Sequence, residues 1–206
     1  MTKIKICGLR TPSDIQAVNK LKPDYIGLVF ADSKRRVTIE EARALKQELD
    51  NDISAVGVFV NAPLDIIVNI AEQKIIDIIQ LHGTEDALYI KELRSKTEVP
   101  LIKAIPVTKE GVVEKLEKID CDFYLFDTMS KMGFGGTGET FALECIGNLK
   151  ITKPFFIAGG LNAMNVQTII QNIHPYGVDV SGGVEIDGQK NYDQIKKFIE
   201  NGRRME

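Results

Sequence analysis

The chain has 206 residues, of which 44% are hydrophobic and 27% are charged, and its formal net charge at pH 7 is -3. This length and composition favour one globular domain over residues 1–206 with a substantial core. The slightly acidic balance disfavours a general nucleic-acid or acidic-membrane surface, which would need an excess of Lys and Arg.

The cysteines and the apolar stretches indicate where the protein works. Cys7, Cys121 and Cys145 form an odd, widely spaced set without a CxxC pair, which is typical of a reducing compartment. The most apolar stretch, 64–81, is interrupted by charged residues, and the first apolar run is too short for a secretory signal. We therefore expect a cytoplasmic protein without a membrane span.

Short runs rich in Ile, Val, Leu and Phe recur along the chain, as expected of strands buried on both faces of a parallel sheet. They predict strands at Lys3–Cys7, Tyr25–Phe30, Ala55–Phe59, Ile76–Leu81, Leu101–Ala104, Phe123–Phe126, Phe155–Ala158 and Gly177–Val180. Amphipathic stretches such as Ile39–Leu49 and Tyr89–Arg94 lie between them and predict helices. N-caps are expected at Ser13, Thr38, Asn61, Thr84 and Asn162.

The alternation of strands and helices is compatible with a doubly wound sheet or with a closed barrel. The number of predicted strands is eight, and the glycine-rich segments follow the last strands rather than the first. Both observations favour an α/β fold of the single-domain (β/α)8 TIM-barrel type. Functional groups of such barrels lie at the carboxyl ends of the strands.

Two glycine motifs near the end of the chain favour a phosphate site. One places Gly159 and Gly160 after the seventh strand, and the other places Ser181 and Gly182 after the eighth. Backbone N–H groups in such turns can approach an anion closely, and these two loops are the recurrent phosphate site of the barrel. The alternative is that the glycines only form tight turns. A third segment, 133–138, which includes Gly136, could add an arm or a lid.

Titratable groups stand at several strand ends: Cys7 after the first strand, His82 after the fourth, Asp127 after the sixth and Asp179 in the eighth. An ionisable side chain at this end of a barrel strand faces the mouth of the active site. The alternatives are a buried hydrophobic thiol, a loop anchor or a helix cap. The basic cluster 33–36 contains Arg35, which could hold a carboxylate with two parallel hydrogen bonds or be an ordinary solvated charge. No spacing of His, Cys, Asp and Glu predicts a metal site.

Six motifs together resemble the phosphoribosylanthranilate isomerase family of tryptophan biosynthesis: KICGL at 5–9, QLHG at 80–83, FDT at 126–128, GGTG at 135–138, AGGL at 158–161 and DVSGGVE at 179–185. The resemblance implies an Amadori rearrangement of N-(5'-phosphoribosyl)anthranilate that needs no cofactor. It implies Cys7 as general base and Asp127 as general acid, with Arg35, His82 and Asp179 around the substrate. It also implies phosphate contacts at Gly136, Gly159, Gly160, Ser181 and Gly182.

One departure and two alternatives accompany this resemblance. The family usually has a second serine where this chain has Gly182, so one hydroxyl contact to phosphate is missing. A related histidine-pathway isomerase has paired aspartates at the ends of the first and sixth strands, whereas this chain has Cys7 at the first position. A non-catalytic phosphosugar-binding protein would keep the glycine loops and lose the acid or the base. The sequence leaves open a monomer or a homodimer.

Overall fold

The computed structural model describes residues 1–107, 116, 119–128, 146, 149 and 151–204. Gly136, Cys145 and the segment 133–138 lie outside the described residues. The strands of the barrel are β1 Lys3–Cys7, β2 Tyr25–Val29, β3 Ser54–Phe59, β4 Ile78–Leu81, β5 Leu101–Pro106, β6 Phe123–Asp127, β7 Phe155–Ala158 and β8 Gly177–Val180.

The described helices lie between these strands and after the last one. They are α1 Pro12–Leu21, α2 Ile39–Glu48, α3 Leu64–Glu72, α4 Ala87–Arg94, α5 Val166–Ile173 and α6 Tyr192–Arg203. A short 3₁₀ turn at Gly182–Val184 and a small hairpin, β9 Glu185–Ile186 with β10 Gln189–Lys190, precede α6. Within the described parts of the chain, no helix is long and apolar enough to cross a membrane.

The strands close into a parallel barrel in the order β1 to β8, and β8 pairs back onto β1. The predicted (β/α)8 barrel is therefore confirmed: three strands have the predicted bounds, and five differ at one end by one or two residues. Closure of the barrel brings Lys5 of β1 directly opposite Asp179 of β8, although the two residues are far apart in the chain. On the other side of β1, Cys7 pairs with Gly27 of β2.

Apolar side chains fill two layers, one inside the barrel and one between the barrel and the helices. The inner layer consists of Val56, Ile78, Ile102, Ala104, Leu125, Phe156 and Ala158. Ile4 and Ile6 of β1 point the other way, into the larger layer beneath the helices. At the amino end of the strands, the Tyr25 and Tyr176 hydroxyls are 2.9 Å apart beside Phe123 and Phe156. The apolar core thus fills the lower barrel and leaves the carboxyl ends of the strands for polar groups.

Only one of the predicted N-caps is confirmed. Thr38 caps α2 with a complete capping box. The prediction at Ser13 is wrong, because α1 begins at Pro12, whose fixed φ suits the first helical position, and its cap is Thr11. The predictions at Asn61, Thr84 and Asn162 are also wrong, because the caps lie two or three residues later, at Pro63, Asp86 and Asn165.

Asn61 and Thr84 bind each other instead of capping helices. The Asn61 side-chain oxygen accepts a hydrogen bond of 2.9 Å from the Thr84 backbone N–H. This contact ties the loop after β3 to the loop after β4. Two residues predicted as N-caps therefore join neighbouring loops instead.

Candidate active site

The carboxyl ends of the strands surround an open cavity of about 780 Å³. Every predicted site residue within the described parts of the chain lines this cavity: Cys7, Arg35, His82, Asp127, Gly159, Gly160, Asp179, Ser181 and Gly182. Small-molecule sites usually have volumes of roughly 300–1,000 Å³, so the cavity can hold a phosphorylated sugar with an aromatic substituent.

Cys7 is the last residue of β1 and its side chain points into the barrel, where 9% of the residue is exposed. Its sulfur lies against the backbone of Gly27, and a Cβ atom at that position would stand 2.6 Å from Sγ. Gly27 was not identified from the sequence, although a glycine inside the strand YIGLV is the usual sign of such a close approach.

The pKa of Cys7 is raised above its ordinary value of 9.0, mainly because the thiol is buried. The positive charges of Lys5 and Lys190 act in the opposite direction, whereas the negative charge of Asp179 adds to the rise. At neutral pH most of the thiol is therefore protonated, and the thiolate fraction grows as the pH increases. The positive charges of Lys5 and Lys190 increase that fraction.

Asp127 and His82 both line the cavity and contact each other. His82 Nε2 lies 3.1 Å from Asp127 Oδ2, and the Gln80 amide nitrogen lies 2.8 Å from His82 Nδ1. The Gln80 side chain therefore contacts one ring nitrogen of His82, and the other ring nitrogen contacts the Asp127 carboxyl group. His82 thus orients the carboxyl group, and Gln80 orients His82. Gln80 was not identified from the sequence, although it is part of the motif QLHG.

Arg35 reaches the cavity from the loop after β2 and pairs with Glu185 of β9. Its Nε and Nη2 atoms donate to Oε1 and Oε2 of Glu185 at 2.7 and 2.8 Å. Lys190 of β10 donates to Glu185 Oε1 at 2.8 Å and to the Ser181 carbonyl at 3.0 Å. This side-on pairing leaves the Nη1–Nη2 edge of the guanidinium, which can donate to a second carboxylate.

Glu185 is buried between two cations, with 7% of its side chain exposed. Its pKa is lowered from 4.5 to about 2, first by the hydrogen bond from Arg35 and further by Lys190. Neither Glu185 nor Lys190 was identified from the sequence. Glu185 lies within the motif DVSGGVE, but nothing in the motif indicates which cations it would bind.

We expect Glu185→Gln to change the dependence of stability on pH. A folded pKa below the unfolded value of 4.5 stabilises the protein above pH 4.5, and this stabilisation is lost as the pH falls toward 2. The difference corresponds to roughly 3 kcal/mol. Urea unfolding of both proteins between pH 3 and 7 should therefore give a flatter pH dependence for Glu185→Gln. Glu200→Gln is the control, because Glu200 forms an exposed pair with Lys196. If the free energy of unfolding depends on pH in the same way in the wild type and both variants, the expectation is wrong.

The two late glycine turns meet above β7 and β8. Gly159 and Gly160 have φ angles of +89° and +67°, a region that favours glycine. A Cβ atom at Gly183 would stand 1.8 Å from the Leu161 carbonyl oxygen, so the two loops touch through their backbones. The Ser181 hydroxyl donates to the Cys7 carbonyl at 3.0 Å, which ties the second turn to β1. Within the described residues, no group of three or more His, Cys, Asp and Glu could hold a metal ion.

The family model for N-(5'-phosphoribosyl)anthranilate (PRA) isomerase matches residues 4–201. The chain belongs to this family. A relative from Thermoanaerobacter sp. strain X514, named N-(5'-phosphoribosyl)anthranilate isomerase, is 43% identical over 203 residues, which are 98% of each chain. The resemblance found in the sequence is therefore confirmed.

Solved structures of the family have the same fold. One is phosphoribosyl anthranilate isomerase in complex with reduced 1-(o-carboxyphenylamino)-1-deoxyribulose 5-phosphate; it is 30% identical, with a TM-score of 0.78 over 98% of this chain and 99% of its own. Another contains monomers of the dimeric enzyme from Thermotoga maritima, 28% identical, with a TM-score of 0.76 over 100% of both chains. Both comparisons span the barrel and the cavity.

Proposed function

We propose that this chain converts N-(5'-phosphoribosyl)anthranilate into 1-(2-carboxyphenylamino)-1-deoxyribulose 5-phosphate, an Amadori rearrangement of tryptophan biosynthesis. The observation that carries the proposal is that Cys7 and Asp127 line one cavity at the carboxyl ends of the strands, in a chain of this family. A base and an acid on the same cavity are what this proton-transfer reaction requires.

In the first step, Asp127 is the general acid. It gives its proton to the ring oxygen of the ribose, and the bond between that oxygen and C1' breaks. The lone pair of the anthranilate nitrogen forms a C1'=N bond, so the substrate becomes a protonated Schiff base. His82 holds the Asp127 carboxyl in place through the contact of 3.1 Å between Nε2 and Oδ2.

In the second step, Cys7 is the general base. The positive Schiff base acidifies C2', and the Cys7 thiolate takes the proton from that carbon. The electron pair of the C–H bond forms C1'=C2' and returns the nitrogen to neutrality. The resulting enol moves its hydroxyl proton to C1' and becomes the ketone. Cys7 ends protonated and Asp127 deprotonated, and exchange of one proton with water restores both groups.

The remaining cavity residues bind the two charged ends of the substrate. The Nη1–Nη2 edge of Arg35 faces the anthranilate carboxylate, while Glu185 holds the other edge. Backbone N–H groups of the turns at Gly159, Gly160, Ser181 and Gly182 bind the phosphate, together with Gly136 outside the described residues. We assign Asp179 to the substrate site because it lines the same cavity, and its Oδ1 atom is buried without a hydrogen-bond partner among the described residues.

Gly182 offers a direct test of the phosphate loop. A Cβ atom there would stand 3.6 Å from Arg35 Nη2, an ordinary contact, so the usual serine of the family fits. We expect Gly182→Ser to strengthen inhibition by inorganic phosphate about tenfold, because a hydrogen bond to a charged group contributes roughly 1.5 kcal/mol. Gly182→Ala is the matched control, since it adds the Cβ without the hydroxyl. Equal inhibition constants for the serine and alanine variants would show that the hydroxyl makes no such contact.

The activity is tested by a fluorescence time course. Anthranilate and phosphoribosyl pyrophosphate are mixed with excess anthranilate phosphoribosyltransferase, and this protein is added once phosphoribosylanthranilate has formed. Fast, protein-dependent formation of the deoxyribulose product is expected. Binding of the substrate without conversion would instead favour a phosphosugar-binding protein.

The setting of this activity follows from the same proposal. We place it in the cytoplasm, as the sequence predicts, because its substrate is a phosphorylated biosynthetic intermediate. Of the two oligomeric states left open by the sequence, the dimeric relative from Thermotoga maritima favours the homodimer.

A further inference from the structure

A lysine lies fully buried inside the barrel below the proposed catalytic base. Lys5 is 0% exposed and precedes Cys7 by two residues on β1. Side chains two residues apart on a strand point to the same face, so the Lys5 side chain shares the barrel interior with the thiol. A charged group without water or a partner is too costly to keep in such a place. The position therefore needs a counterion and has one.

The counterion comes from the strand that closes the barrel. Lys5 Nζ lies 3.0 Å from Asp179 Oδ2, and the two residues pair directly in the register of β1 with β8. Only 7% of the Asp179 side chain is exposed. The ion pair is therefore buried inside the barrel rather than a surface contact.

Four charged groups from different parts of the fold interact electrostatically with Cys7. They are Lys5 on β1, Asp179 on β8, Lys190 on β10 and Arg35 in the loop after β2. Arg35 and Lys190 share the carboxylate of Glu185, which offsets much of their charge. Lys5 has the strongest charge effect on the thiol and favours the thiolate. Asp179 holds Lys5 but opposes the thiolate, and its effect on the pKa of Cys7 is smaller than that of Lys5.

We propose that Lys5 is the positioning residue of the catalytic base: its ammonium group, held by Asp179, stabilises the Cys7 thiolate inside the barrel. The proposal rests on the proposed role of Cys7. It gives the buried ion pair a use beyond stability, because a buried pair alone is weak evidence for a stabilising role. It also gives Asp179 a second part, because Oδ2 holds Lys5 while the residue lines the cavity.

The test is the pH dependence of Cys7 alkylation by iodoacetamide, measured by peptide mass mapping in the wild type and in Lys5→Met. Removal of a nearby positive charge is expected to raise the midpoint of the alkylation profile by about 1 to 3 pH units. At pH 7 alkylation should slow at least about tenfold, with a parallel loss in kcat. Lys3→Met is the matched control, because Lys3 belongs to the same strand but pairs with Asp24 at the other end of the barrel.

The outcomes separate this inference from the proposed activity. Alkylation needs no turnover, so a shifted profile supports the role of Lys5 even in a protein that fails to convert the substrate. An unchanged profile in a folded Lys5→Met protein overturns the inference, whatever its kcat. If Lys5→Met does not fold, the alkylation profile of Lys5→Gln is measured instead and interpreted in the same way. Its amide can still donate a hydrogen bond to Asp179, but it carries no charge.

Discussion

Cys7→Ala is expected to lower kcat by about 10²–10⁴-fold, the usual contribution of a positioned general base. The thiol is the only group of its side chain that can take the C2' proton, and alanine leaves the neighbouring Gly27 and the rest of β1 unstrained. Product affinity should stay within a few-fold of the wild type, because the proposed contacts to carboxylate and phosphate come from other residues. Steady-state kinetics and a product titration measure the two quantities separately.

The same residue has a pH dependence of its own. Burial raises the pKa of Cys7, so the thiolate fraction should rise roughly tenfold per pH unit below that pKa, whereas turnover also needs a protonated Asp127 and should rise less steeply. Cys121→Ala is the matched control: that thiol is also buried, its pKa is raised to about 11, and it does not line the cavity. Near-normal turnover of Cys7→Ala would rule out its role as the base.

Asp127→Asn is expected to lower kcat by a similar factor of about 10²–10⁴. An amide has both a donor and an acceptor and can still hydrogen-bond to His82 Nε2, so the variant keeps the geometry of the contact and loses the acidic proton. The defect should therefore appear in kcat, with little change in the affinity for the product. Activity measurements across the pH range should find no value at which the variant recovers.

Asp122→Asn is the control for this substitution. Asp122 stands at the opposite end of β6 and pairs with Arg94, with 44% of its side chain exposed. The Asp122→Asn variant should convert the substrate at nearly the wild-type rate. A loss of activity equal to that of Asp127→Asn would mean that both substitutions act through the stability of β6 rather than through the chemistry.

The strands and the cavity residues could be predicted because their signals are local. A buried strand is read from a short apolar run, and residues at its carboxyl end face the same mouth in any parallel barrel. Cys7, His82 and Asp127 were identified in this way, and all three line the cavity. Most of the N-cap predictions were wrong because each loop contains several residues that could cap the helix, and the residue that does so depends on the backbone conformation of the loop. Asn61, for example, holds Thr84 rather than a helix.

The partners of the site residues could not be predicted, because they depend on how the barrel closes. Lys5 looks like an ordinary polar residue of an alternating strand until β8 places Asp179 beside it. The pairing of Arg35 with Glu185 joins residues 150 positions apart across a hairpin that has no clear sequence signal. Sequence motifs predicted the groups to which we assign the chemistry, and only the structure identified the charged residues that pair with their neighbours.

The proposed roles of Cys7 and Asp127 can be tested by a single-turnover measurement with enzyme in excess over phosphoribosylanthranilate, comparing the wild type, Cys7→Ala and Asp127→Asn. Single-turnover conditions isolate the chemical step from product release. We expect rapid formation of the deoxyribulose phosphate by the wild type, and a loss of about 10²–10⁴-fold in each variant without loss of binding. Equal single-turnover rates in all three proteins would contradict these roles.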